Sequence, residues 1–226
     1  MNENWLILET SGRVGKVGLA RGGAVARVVT LDDTRRHARD LAATVEAVLK
    51  AESLAPTNLT GVMVGRGPGS YTGLRVGLIS AKALAYATGC QLRAVDTFAA
   101  IAVQAPAEAQ SVWVIADALQ NQVYIQRFDR DSTCWVPFQE LHILHVDEAL
   151  HWLPAGVWVS GPGVNVYAAE HIPQSCPLVP EADREPRVES LFAVGTKLAP
   201  LSREEMFALE PLYLRGSSAE EKARGK

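Results

Sequence analysis

Apolar positions along the chain change period several times, and those changes divide it into elements. Trp5 to Glu9 is an apolar run of strand length, and Val14 to Ala20 alternates before the turn signal Arg21-Gly22-Gly23, which leads into Ala24 to Thr30. Three strands in a meander open the chain. After the polar Asp32-Asp33-Thr34-Arg35-Arg36, the residues Ala38, Leu41, Val45, Val48 and Leu49 recur at helical spacing. They predict an amphipathic helix over His37 to Ala51, with Pro56 at its exit. Gly61 to Gly65 reads as a buried strand, and the stretch to Gly73 as a glycine-rich turn. Leu74 to Thr88 reads as a second helix, Leu92 to Val95 as a strand, and Asp96 to Gln104 as a short third helix.

Alternation resumes at Val112 to Asp117 and Val123 to Phe128, with a further strand near Glu140 to Leu144, a helix from Asp147 to Leu153 and a strand at Val157 to Ser160. A meander followed by crossovers predicts a mixed sheet covered by helices, and the second half repeats the plan of the first. No residue-by-residue repeat accompanies that likeness. The expected organisation is a lobe over 1–105, a smaller lobe over 106–216 with Pro106 to Gln110 as the hinge, and a small, charged tail over 217–226 that needs a partner to order it.

Composition narrows the picture. The chain has 226 residues, 48% hydrophobic and 21% charged, enough apolar material for two cores. Its net charge of -3 supplies no general footprint for a phosphate backbone, so contact with nucleic acid requires a local patch or a more basic partner. Cys90, Cys134 and Cys176 lack CxxC spacing and suit a reducing cytoplasm. No basic leader opens the sequence, and no apolar run reaches the roughly 20 residues of a membrane span. His37, His142, His145, His151 and His171 are scattered, without metal-ligand spacing.

The densest chemistry is GRGPGSYTGLRVG, Gly65 to Gly77, between a strand and a helix. Such a place lets backbone N–H groups meet an anion. A Walker A loop needs Lys after its last glycine, and none is present. Gly67, Gly69 and Gly73 form GxGxxxG with Asp96 near the end of the next strand, but the strand feeding them is the fourth, after an antiparallel meander, where a dinucleotide fingerprint follows the first strand of a parallel unit. The plain alternative is a tight turn at Gly67-Pro68-Gly69 with Ser70 or Thr72 capping the helix, and spacing alone favours it. There is no GxSxG elbow to make Ser70 a nucleophile.

Between Leu74 and Thr88 the only charges are Arg75 and Lys82. Leu74, Leu78, Ala81 and Ala85 line one face, while Val76, Ile79, Ala83 and Tyr86 line another. A helix apolar nearly all round must be covered on more than one side, by its own chain or by another protein. The candidate contact set is Ala38, Leu41, Ala42 and Val45 on the first helix with Leu74, Leu78, Ala81 and Ala85 on the second, the outward face of each being open at this level.

On GRGPGSYTGLRVG and the helix to Thr88, on RRHARDLAATVEAVL, on VIADALQNQVYIQRF and on LEPLYLR at Leu209 to Arg215, the chain resembles the TsaB (YeaZ) family, bacterial relatives of the TsaD threonylcarbamoyltransferase. The resemblance implies an α/β, two-lobed actin-like ATPase fold (ASKHA, ribonuclease H-like) with mixed sheets flanked by helices. It implies a non-catalytic partner of a TsaD-type subunit in forming threonylcarbamoyladenosine at adenosine 37 of tRNA. A TsaE-type ATPase and tRNA are then met through the complex, and a homodimer forms when the chain is alone. Glu9-Thr10-Ser11 stands where the family usually opens with Asp-Thr-Ser, an acid that helps active superfamily members hold a magnesium nucleotide. The nucleotide-proximal loop so implied comprises Glu9, Thr10, Ser11, Gly67, Gly69, Ser70, Thr72 and Gly73. The resemblance gives this subunit no cofactor of its own, with ATP or ADP a candidate only in the complex. Thr97 and Ile101 stand where the catalytic relatives carry a metal-binding histidine pair, so neither catalytic residues nor a metal site are expected. The alternative is an actin-like nucleotide phosphotransferase or a metal-dependent peptidase. A third reading is a nucleotide-sensing module without turnover.

Overall fold

The computed structural model describes residues 3–31, 37–168 and 171–212, with the side chains of 37–39 and 150 outside the description. β1 (Asn4–Glu9), β2 (Lys16–Arg21) and β3 (Ala24–Thr30) form the antiparallel meander. β4 (Gly61–Gly65) and β5 (Gln91–Val95) join β1 in parallel on its other side, in the order β3-β2-β1-β4-β5. Because side chains alternate along a strand, Leu6 and Leu8 of β1 face one way and Trp5 and Ile7 the other. Both sets are buried, so helices must cover both faces.

α1 (His37–Ala51) and α2 (Tyr71–Thr88) cover the first face, packing Leu41, Val48, Leu49, Leu78, Ala81 and Ala85 on Leu6, Leu8, Val62 and Val64. α2 starts where the Ser70 hydroxyl accepts the Gly73 N–H, and stops at Gly89, whose φ of 73° a helix cannot continue. Five of the expected partner-contact residues are thereby corrected. Leu41, Leu74, Leu78, Ala81 and Ala85 are at most 3% exposed, because theirs is the stripe turned to the sheet. Val45 is half-buried against the same core, and Ala42 is exposed. The side chain of Ala38 lies outside the described residues.

α3 (Thr97–Ala102) leads to β6 (Ser111–Asp117), β7 (Gln122–Asp131), β8 (Cys134–Pro137), β9 (His142–His145), α4 (Val146–His151), β10 (Trp158–Ser160) and α5 (Gly163–Tyr167). The second sheet runs β10-β6-β7-β8, with β9 also paired to β7, and only β10 lies parallel to β6. α3 buries Phe98 and Ile101 against Val112 and Val114 on one face. α4 and α5 bury Ala149 and Val164 against Trp113 and Ile115 on the other.

α6 (Val188–Gly195) and α7 (Arg203–Ala208) return to the first sheet. Val188, Leu191 and Phe192 cover Trp5, Ile7 and Met63, while Met206 closes the α2 side. The expected second lobe of 106–216 is therefore shortened at its C-terminal end: its last helices pack on the first sheet, where α6 joins Ala100 of α3 over the Trp5 face. The expected tail, 217–226, lies outside the described residues. Among those described, no helix is long and apolar enough to cross a membrane.

Candidate functional site

The glycine-rich segment and the turn after β1 are built against each other. Ser70 N–H donates to the Ser11 carbonyl at 2.7 Å. A Cβ on Gly69 would overlap the Ser11 carbonyl, one on Gly73 the Thr10 carbonyl, one on Gly77 the Thr10 hydroxyl, and one on Gly65 the Glu9 carboxylate. Side chains at this four-residue spacing would hold the helix off the turn. Their absence lets Glu9, Thr10 and Ser11 sink to 1%, 1% and 5% exposure. Ser70 and Thr72 stay exposed at the helix start.

Glu9 Oε1 accepts the Ser11 N–H at 2.5 Å, and Oε2 has no hydrogen-bond partner among the described residues. Burial pushes the Glu9 carboxyl above the ordinary carboxylate range, outweighing the Ser11 hydrogen bonds and the Lys16 charge that pull it down. Burial raises the Glu185 carboxyl too. On the other side of the loop, Gly67 N–H donates to Thr97 Oγ1 at 3.2 Å and Thr97 N–H donates back to the Gly67 carbonyl at 2.8 Å. Arg66 pairs with Asp96 beside it. Thr97 thus fastens the loop, and Ile101 is wholly buried between α3 and the second sheet. No group of three or more His, Cys, Asp or Glu among the described residues is placed to hold a metal ion.

Between the sheets lies a cleft of ≈ 720 Å³ reached by Ser11, Ser70, Thr72, Asp117, Tyr124 and Glu185. Asp117 ends β6 as Glu9 ends β1, and pattern reading did not single it out, although a carboxylate closing an apolar strand was the available signal. Its Oδ1 accepts from the Leu119 N–H and the Tyr167 hydroxyl, both at 2.8 Å. Tyr167 is pushed up to about 12 by burial, with the Asp117 hydrogen bond and charge adding to it.

A magnesium nucleotide, which the actin-like fold implies, would be received at the first-lobe turn. The residues there do not fit it. The acid is sunk under Gly65 with one oxygen spent on Ser11, and the Ser70 and Gly67 N–H groups are spent on Ser11 and Thr97. Two further carboxylates, Asp117 and Glu185, line the cleft beside it.

The outer face of α2 carries the other feature. Ile79 is 66% exposed and Tyr86 60%, and Phe207 of α7, 55% exposed, meets Tyr86 edge-on with ring centroids 5.8 Å apart. Arg203 lies over both rings. Lys82 Nζ donates to the Phe207 and Leu209 carbonyls at 2.9 and 3.1 Å, tying α7 to α2. The result is one apolar surface on two elements.

Two mixed sheets flanked by helices, the first with Glu9 ending β1 beneath the glycine-rich segment and the second with Asp117 ending β6 where Gly161 and Gly163 press on Ile115, define an actin-like two-lobed protein. The chain belongs to the family described as TsaD, tRNA N6-adenosine threonylcarbamoyltransferase, whose model matches residues 22–207, and within it goes with the TsaB (YeaZ) proteins. It is 26% identical to the tRNA threonylcarbamoyladenosine biosynthesis protein TsaB of Escherichia coli over 98% of both chains. To the Bacillus subtilis protein of that name it is 32% identical over 53% of this chain and 52% of the other. A crystal structure from Pseudomonas aeruginosa, described as an uncharacterized protein with similarity to peptidase YEAZ, superposes with a TM-score of 0.79 at 25% identity, covering 94% of this chain and all of that one.

Proposed function

We propose that this chain is a non-catalytic subunit that binds and activates a TsaD-type threonylcarbamoyltransferase, which forms N6-threonylcarbamoyladenosine at adenosine 37 of tRNA. The observation that carries the reading is the surface of Ile79, Tyr86 and Phe207, on a helix whose opposite stripe is already consumed by the sheet. Exposed aromatic and aliphatic residues gathered on one face are the usual anchors of a protein interface. Family membership and the names of the TsaB relatives supply the pathway.

In this reading the chemistry takes place on the partner, and a TsaE-type ATPase and tRNA meet this subunit only in the complex. The net charge of -3 agrees with a protein that does not grip tRNA alone. Without its partner, the same surface would bury itself in a second copy. The three free cysteines suit a cytoplasmic location.

The test is to mix the purified chain with a TsaD-type protein and weigh the product by size exclusion with light scattering. A stable heteromer is expected. Absence of a heteromer, together with ATP hydrolysis by the isolated chain that Glu9→Ala abolishes, would establish the phosphotransferase reading instead.

A further inference from the structure

The chain crosses between the two sheets twice, through 96–110 on the way out and through 180–187 on the way back. Each crossing is held by the sheet it borders. Arg130 of β7 donates to the Ala109 and Pro106 carbonyls at 2.8 and 3.0 Å, and Lys16 of β2 donates to the Pro186 carbonyl at 2.6 Å. The crossings are joined to each other by one side chain. Gln104, at the exit of α3, donates from Nε2 to the Asp183 carbonyl at 2.7 Å and the Glu185 carbonyl at 3.0 Å. Its Oε1 accepts the Arg187 N–H at 3.0 Å and the Ser190 hydroxyl at 2.7 Å.

A primary amide has two N–H donors and one oxygen with two lone pairs, so Gln104 spends its whole capacity on the returning segment. A lysine or glutamate could supply only one polarity, and a serine could not span the gap. We propose that Gln104 is the pin that fixes the angle between the two sheets, holding the cleft at one width. The amide carries no charge, so the pin is indifferent to salt and pH. It is a positioning residue: it acts through the Asp183–Ser190 segment, which leads directly into the helix covering the first sheet.

Gln104→Glu in the full chain is the discriminating variant. It keeps the oxygen that receives Arg187 and Ser190 but turns the Nε2 donor into a second oxygen facing two carbonyls. When the new carboxyl takes up a proton, at a pKa that the two facing carbonyls move above the ordinary carboxylate range, one donor returns. Hydrogen exchange should therefore show protection over 103–110 and 183–190 reduced about tenfold or more relative to the unsubstituted protein at pH 8, and largely restored at pH 4. Solution scattering should show a broader, more open particle at pH 8 alone. Unchanged protection and scattering at both pH values would overturn the proposal, and so would a loss that acid does not reverse, since that is the mark of packing. Should Gln104→Glu not fold, Ser190→Ala removes one arm and is expected to loosen 183–190 to a smaller degree. No loosening there would also sink the pin.

Discussion

At Gly73 a single methyl group has nowhere to go. A Cβ would fall inside the Thr10 carbonyl, which belongs to a turn already held by β1 and β2. Gly73→Ala is expected to lower stability by about 1–3 kcal/mol or more, as overpacking against backbone does, measured by urea unfolding. Glu9 makes a prediction of different character. Its folded-state pKa is raised, so the stability it contributes is full below the unfolded value of roughly 4.3 and is lost as pH rises through the folded value. Glu185 is shifted the same way, and Lys16 opposes both. Glu9→Gln keeps an oxygen for the Ser11 N–H and removes the ionisation. From about pH 4.3 upward, the variant should gain in melting temperature relative to the unsubstituted protein, and a flat difference between pH 4 and pH 8 would contradict it. The motif could be read from sequence as either an anion cradle or a tight turn. The orientation of its N–H groups depends on Ser11 and Thr97, residues far away in sequence, whose oxygens receive the Ser70 and Gly67 N–H groups.

At the scale of elements, α2 is the case where pattern and structure divide. Its period predicted a helix, and the helix exists, three residues longer at its start because Ser70 provides the cap. Two apolar stripes were visible, but which one meets the sheet depends on the direction of β1 and β4, which local sequence does not encode. The consequence is a pair of neighbours with opposite behaviour. Leu78→Glu places a charge in the core and is expected to cost more than about 3 kcal/mol, with loss of the cooperative melt. Ile79→Glu lies on the exposed face and should leave the melt within about 0.5 kcal/mol while abolishing association with the TsaD-type partner. The short elements β8, α6 and α7 escaped the pattern for a common reason. Four to eight residues are too few to show a period, and α6 is apolar on nearly every side because sheet and α3 enclose it.

Across the whole molecule, the two halves repeat a plan: a central strand ending in an acid, a hairpin beside it, and a parallel strand followed by a glycine turn and a helix. Their likeness is in strand order, and each half buries its own alternating faces. The sequence by itself determined the elements of the first half, the mixed-sheet class and the relation to the TsaB proteins, because periodicity, turn residues and a specific glycine motif are local properties. Tertiary structure alone decided which stripe of α2 is core, that Glu9 is sunk beneath Gly65, that the last helices return to the first sheet, and that Gln104 joins the two crossings. Each of these depends on contacts between residues tens of positions apart, and such contacts exist only once the chain has closed on itself.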